Sequence, residues 1–277
     1  GIASILVAFI PFAGYVFPGV FWYVTARAIN YISICVFSLA LAYYTNERKK
    51  NLFFCVLFIL PCFLWVFRTS IMGTIVALAA FSFFKYRMKS LPVIFLIAVL
   101  GIVAVFTIPS LKEKMFRDEG VTIEQLQNGE LGKDDIDSNG RFAMWEALTG
   151  RFYEGHELAG SGTGSVQNYM YSNHVFGGLK VPHNDFVQML CDNGLIALIL
   201  YLCICLCVVL HSLALYDRSQ STFLKICAIT AGSSMLGVLA TLYSDNVVNY
   251  SMATLSMPFG FYGMALGLHQ AERHSHL

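Results

Sequence analysis

Residues 91–108 read LPVIFLIAVLGIVAVFTI, eighteen positions without a charge, with Lys89 before them and Lys112 after. About 18 apolar residues in a row is the length at which a helix can cross the hydrocarbon core of a bilayer. Seven more apolar segments lie on either side, at roughly 2–18, 24–44, 51–67, 70–84, 186–214, 225–243 and 247–268. The 277-residue chain is 57% hydrophobic and 13% charged, against about 45–50% and about 25% in soluble domains. Such a composition excludes an ordinary soluble globule and a disordered chain. A net charge of +1 supplies no field to draw nucleic acid. The expected fold is an all-α polytopic membrane protein. Its hydrophobic text begins at once from Gly1, without a basic leader, so the chain reads as lacking upstream spans. Pro11, Gly14 and Pro18 interrupt the first segment.

The basic clusters set the expected orientation. Arg48-Lys49-Lys50, the group Lys85, Arg87 and Lys89, the pair Arg218 and Lys225, and Arg273 are each separated by two apolar segments. All four then share one side, which the positive-inside rule makes cytoplasmic. The opposite side receives Arg68-Thr69-Ser70, read as the turn of a short hairpin, then stretch 109–185 and Tyr243-Ser244-Asp245-Asn246.

Stretch 109–185 carries twelve acidic and seven basic residues and is too long for a mere connector. The organisation expected is 1–108 with transmembrane segments 1–5, 109–185 as an outer loop domain, and 186–277 with segments 6–8 and a short cytoplasmic tail. Within the loop, 121–128 and 140–152 read as short helices. Arg141, Trp145 and Leu148 share a face of the second.

The eight cysteines all lie in or beside apolar runs, with no CxxC pair. They read as small hydrophobes, and Cys203, Cys205 and Cys207 spread around a helix axis. His156 and His174 have no carboxylate or thiol at metal spacing, so no metal is expected. His269, His274 and His276 read as a solvated tail.

Several polar residues can carry chemistry. Pro182-His183-Asn184-Asp185 closes the loop and opens segment six. Asn184 suits an N-cap and Asp185 the first turn, which puts His183 at the mouth of a long helix. An imidazole there can accept a proton, and the helix end attracts anions; a plain cap with an interfacial His fits the same residues. Arg68 lies between two short spans, where arginine is costly and usually faces a partner or a wet cavity. It can fork to a phosphate or snorkel to headgroups. Arg141 and Arg151, about 80° apart on one helix, can each meet an anion or remain solvated. Asp245 and Asn246 can orient a hydroxyl, act as base, pair with arginine or simply cap a helix. Gly160-Ser161-Gly162-Thr163-Gly164-Ser165 has the look of a phosphate loop but lacks the preceding strand and the GK[ST] ending, so it reads as a flexible turn.

The ordered set is an Arg in a membrane hairpin, Gly140-Arg141-xxx-Trp145, Gly160-x-Gly162-x-Gly164, and Pro182-His183-Asn184-Asp185 followed nine residues on by Gly194-Leu195-Ile196. It resembles the O-antigen ligase and O-antigen polymerase superfamily, membrane glycosyltransferases of bacterial surface-polysaccharide assembly. The resemblance runs from about Arg68 to Asn249. It implies a GT-C-like helical bundle in the inner membrane with a large periplasmic loop between segments five and six. It implies a glycan donor on undecaprenyl pyrophosphate, used at the periplasmic face without metal, nucleotide or other cofactor. The acceptor is a lipid-linked glycan or lipid A-core. Carried over by position, Arg68 and Arg141 hold the pyrophosphate and His183 is the essential histidine. Asn184, Asp185 and Asp245 support the site; Arg151 and Trp145 are further substrate-binding candidates. Ala197 stands where ligases more often carry Gly, Thr or Tyr, which favours a polymerase over a ligase. A transporter or flippase of polyprenyl-linked sugars is the alternative of another class. The one-sided clustering of polar residues speaks against it, because transporters tend to repeated halves and broken helices at midplane.

Overall fold

The computed structural model describes residues 28–64, 68–116, 121–132, 135–136, 140–173, 175–250 and 252–275. The first apolar segment expected, 2–18, lies outside them, as does His174. Among the described residues all regular structure is helical, apart from one isolated antiparallel bridge between Phe116 and Ile136. In chain order the α-helices are α1 (Ile32–Tyr44), α2 (Arg48–Leu64), α3 (Arg68–Tyr86), α4 (Leu91–Thr107), α5 (Pro109–Met115) and α6 (Ile123–Gln127). They continue with α7 (Arg141–Phe152), α8 (Ser165–Asn173), α9 (Asp185–Arg218), α10 (Thr222–Leu242), α11 (Val247–Tyr250) and α12 (Met252–Ser275).

Among the described residues three stretches are long and apolar enough to cross a membrane: Arg68–Thr107, Asp185–Arg218 and Thr222–Leu242. Two segments read from the sequence as separate spans, 70–84 and 91–108, both fall in the first. It is helical on either side of a 3-10 turn, Arg87–Ser90, where Arg87 takes φ 54°. Arg68-Thr69-Ser70 is not a turn but the start of α3. The polar triplet between the two apolar runs thus belongs to a helix, and residues 65–67 between α2 and α3 lie outside the described ones. The last apolar segment becomes α11 and α12, the latter with Pro258 inside it, and His274 is exposed in the last turn of α12.

The described residues form two compact units. One holds those through Lys85, with Asn184–Phe186 and those from Ile199 onward. Its axis is α10, fifteen of whose residues are buried. Ile32, Val36, Ala77, Phe81, Ile229 and Met235 belong to one apolar cluster around it. Small residues set how closely the helices pack, as expected where packing rather than water expulsion drives association. A Cβ on Gly237 would stand 2.6 Å from both the Ala77 Cβ and the Gly73 carbonyl, and one on Gly73 would stand 2.4 Å from Thr241 Cγ2. Cys205 is buried while Cys203 and Cys207 are exposed, the spread that their two-residue spacing requires on a helix.

The second unit holds Tyr86–His183 and Val187–Leu198. Its α4 buries none of its apolar residues within the protein, the pattern of a helix face made for lipid. Its loop part folds around Met144, Leu148, Val166, Met170 and Cys191. Thus α7 presents Met144 and Leu148 to Val166 and Met170 of α8, four residues apart in each case. Upstream, Thr122 and Gln125 form a reciprocal capping box that starts α6.

Candidate active site

In the first unit the structure gathers three chain segments that carry predicted residues. Arg68 opens α3 and is half-buried. The next residue, Thr69, places its Oγ1 2.9 Å from Ser244 Oγ, so the Arg68 helix start and the 244–248 turn are neighbours. Asp185, 3% exposed, reaches the same turn. Its Oδ1 accepts from Asn246 Nδ2 at 3.1 Å and its Oδ2 from the Val248 amide at 3.0 Å. The reason is the orphan amides at the start of α11: a helix N-terminus needs acceptors, and Asp185 supplies one from another part of the chain. Asp245 is half-buried and accepts from the Asn246 amide at 3.0 Å. Asp185 is thus the bond that ties the start of α9 to the turn bearing Asp245. Asn184, 2% exposed, directly precedes that helix.

In the second unit, Pro182 and His183 are tied to α7. Trp145 donates its indole N–H to the Pro182 carbonyl at 2.6 Å. Trp145 follows Arg141 by one helical turn, and Arg141 is the half-buried first residue of α7, entered through Gly140 at φ 74°. His183 takes φ 52°. A non-glycine residue in the left-handed region is uncommon and is kept there only when its surroundings hold it. Here a buried proline on one side, pinned by Trp145, and the start of α9 on the other fix the backbone. Arg151 is exposed, its guanidinium stacked 4.4 Å over the Tyr169 ring.

The glycine run is not a loose turn. It packs against a break in α9 at Gly194, which adopts φ 78° and ψ 178°. In an unbroken helix the Leu195 and Ile196 amides would donate to the Cys191 and Asp192 carbonyls. Instead Leu195 N donates to Glu157 O at 2.8 Å and Ile196 N to Leu158 O at 3.3 Å. The freed carbonyls of Cys191 and Asp192 accept from Ser161 N and Gly162 N, each at 2.9 Å. Segment 157–162 therefore replaces the two lost helical bonds with four cross-segment ones. Backbone must approach backbone for this. A Cβ on Gly194 would stand 2.3 Å from the Leu158 carbonyl oxygen, and one on Gly160 2.5 Å from the Asn193 amide.

Asp192 completes the arrangement. It is 3% exposed, and its Oδ2 accepts from Gly164 N at 3.1 Å and its Oδ1 from Val166 N at 2.9 Å. Two amides that a phosphate loop would offer to an anion are thus engaged by an internal carboxylate at the start of α8. Asn193 Nδ2 donates to Thr163 Oγ1 at 2.7 Å, and Ser161 Oγ donates to the Phe152 carbonyl. Sequence reading passed over Asp192. Its signal was an acidic residue inside an otherwise apolar run, which is expensive unless it is partnered. Among the described residues no group of three or more His, Cys, Asp or Glu gathers at metal-binding distance.

Compared with known proteins, residues 33–202 match the family model described as O-antigen ligase. The chain belongs to the O-antigen ligase family. A comparison with curated proteins finds no match. The O-antigen ligase match takes in Arg68, Arg141, the His183 turn, Asp192 and the Gly194 break, and ends before Asp245. Members of this family are bacterial membrane enzymes of surface-polysaccharide synthesis, acting on lipid-linked glycans. The apolar helices of this chain agree with that setting.

Proposed function

We propose that this protein is an inner-membrane glycosyltransferase that transfers a glycan from undecaprenyl pyrophosphate at the periplasmic face, acting as an O-antigen polymerase. The observation that carries the reading is the backbone of His183, held left-handed between the Trp145-bound Pro182 and the start of α9. Residues in such conformations cluster at functional sites, and the His lies in the stretch matched to an enzyme family. In the proposed reaction an acceptor hydroxyl attacks C1 of the donor sugar. The new bond joins C1 to the acceptor oxygen; the bond from C1 to the phosphate oxygen breaks; the hydroxyl proton passes to the His183 imidazole. Undecaprenyl pyrophosphate departs carrying the electron pair of the broken bond. A single displacement of this kind inverts the configuration at C1. General-base help of this kind is worth about 10²–10⁴-fold.

Arg68 and Arg141 stabilise the negative charge that grows on the leaving pyrophosphate, since arginine forks onto phosphate oxygens. Asp245 orients the acceptor hydroxyl. Asp185 has both carboxylate oxygens engaged with Asn246 and Val248 and so supports the site by holding the Asp245 turn. Asn184 supports the His183 backbone, and Trp145 acts through Pro182. Arg151, on its Tyr169 platform, meets the glycan beyond the reacting sugar. The positive-inside reading of the basic clusters, two apolar segments apart in the sequence, supports the periplasmic placement of the 109–185 loop.

Ala197 favours the polymerase over the ligase, whose acceptor is lipid A-core; the family description, O-antigen ligase, favours the second. Purified protein given undecaprenyl-pyrophosphate glycan with each acceptor in turn separates them. The polymerase reading expects longer lipid-linked glycan without lipid A-core. Product that forms only with lipid A-core refutes it. Movement of the donor across vesicles without any new glycosidic bond assigns the protein to transport instead.

A further inference from the structure

We propose that Asp192 is a positioning residue for His183, acting through the first nine residues of α9; the functional part of this proposal rests on the role given to His183 above. Those residues, Asp185–Asn193, form a rigid rod of about two and a half turns between the His183 turn and the Gly194 break. A rod is oriented only if its far end is prevented from sliding and rotating. At the near end the bond from Trp145 Nε1 to the Pro182 carbonyl holds the turn, and Asp185, the first residue of the rod, is held by Asn246 and Val248. At the far end Asp192 holds Gly164 and Val166 through its side chain and Gly162 through its carbonyl. Between them Cys191 is fully buried in the apolar cluster formed with Met144, Leu148, Val166 and Met170.

The carboxylate is what makes the far end specific. The apolar cluster alone tolerates small slides of one helix over another, because its contacts have no direction. Two hydrogen bonds from amides two residues apart onto the two oxygens of one carboxylate fix both rotation and height. The partner amides are themselves fixed, since Val166 is fully buried and Gly164 sits at φ 84° at the entry to α8. Asn cannot replace this acceptor pair: one of its two polar atoms is a donor and faces an amide that also donates. The rod then regains freedom at its far end, and the His183 turn at its near end follows. A misplacement of about 1 Å at a reacting group can cost about 10²-fold in rate.

Full-length Asp192→Asn is compared with the unmodified protein by hydrogen–deuterium exchange and by steady-state transfer kinetics. Exchange reads backbone order whether or not His183 takes part in chemistry. The proposal expects exchange to quicken at least about tenfold in peptides covering 161–166 and 183–186, with α10 protection unchanged. It expects kcat to fall by about 10–10²-fold and the donor KM to stay within about twofold. Unchanged exchange at 183–186 overturns the proposal, whatever happens to the rate. Faster exchange throughout, α10 included, also overturns it, because Asp192 would then serve global stability alone. Faster exchange at 183–186 with kcat unchanged upholds the positioning of the turn and refutes the role proposed for His183. Should the Asn variant fail to fold, Asp192→Glu, which keeps both acceptor oxygens on a longer arm, is read by the same criteria.

Discussion

Replacing Gly194 by alanine is the sharpest perturbation of the loop unit. At φ 78° and ψ 178° the residue occupies a region open essentially to glycine alone, and forcing another residue there costs about 1–3 kcal/mol. The new Cβ would also stand 2.3 Å from the Leu158 carbonyl oxygen and 2.5 Å from the Ala159 amide nitrogen. Neither is a flexible side-chain end, so segment 157–162 must move away. That motion breaks the bonds between Leu195 and Glu157, Ile196 and Leu158, Ser161 and Cys191, and Gly162 and Asp192. At about 0.5–1.5 kcal/mol net for each hydrogen bond, the loss is about 2–6 kcal/mol. Whether the chain keeps the contact and bears the strain, or gives it up and loses the bonds, destabilisation of at least about 1 kcal/mol follows, against a typical total of about 5–15 kcal/mol. Thermal unfolding in detergent, followed by near-ultraviolet circular dichroism and by limited proteolysis within 153–164, measures it. Gly101→Ala is the control, since no atom lies within 4 Å of its added Cβ and alanine suits a helix interior better than glycine. The account expects Gly194→Ala to unfold earlier and to be cleaved faster in this segment, with Gly101→Ala unchanged or slightly more stable. Equal stability and equal cleavage in both variants would refute the break-and-replace description of α9.

Trp145→Phe keeps an aromatic ring, though a smaller one, and removes the donor to the Pro182 carbonyl. It is expected to cost about 1–3 kcal/mol and to lower the transfer rate at least about tenfold with the donor KM unchanged, as checked by steady-state kinetics. Gly237→Leu overlaps Ala77 and the Gly73 carbonyl, so it should force α3 and α10 apart and lower the yield of folded protein, seen by size-exclusion chromatography. Glu157 accepts from the Gly155 amide at 2.9 Å, and that bond holds its carboxyl below the usual carboxylate range. Because its folded value is depressed, its contribution is present above the unfolded value of about 4.3 and is lost as pH falls through the folded one. Exchange at the Gly155 amide should therefore show an extra acceleration below about pH 4.3, absent in Glu157→Gln.

Much of the helical text was readable because it depends on local pattern. The expected helix at 140–152 is found at Arg141–Phe152, and that at 121–128 is found shortened to Ile123–Gln127. Arg141, Trp145 and Leu148 do lie along one side of α7, with Leu148 fully buried and the other two half-buried. The boundary at Arg68 was misread because a helix start and a tight turn share polar residues, and only the following hydrogen bonds distinguish them. The glycine run misled for a related reason. Backbone amides arranged to receive an anion look the same in sequence whether the anion is a ligand or a side chain from 28 residues away, as Asp192 is from Gly164. Nothing local to 160–165 names its partner. The partner was legible only as an acidic residue out of place in segment six, two residues before a glycine that lies against Leu158. Asp185 differed again. Its suitability for a helix first turn was evident, but its grip on Asn246 and Val248 is a tertiary pairing that no spacing rule foretells.

In the proposed reaction the His183 imidazole takes the acceptor proton while arginines hold the departing pyrophosphate. His183→Asn tests it most directly, because asparagine tolerates the left-handed backbone found at φ 52° yet cannot serve as a base. Transfer from undecaprenyl-pyrophosphate glycan is measured with purified protein across donor concentrations. The account predicts a fall in kcat of about 10²–10⁴-fold with donor binding retained. Turnover within about threefold of the unmodified protein, at equal donor binding, would contradict it.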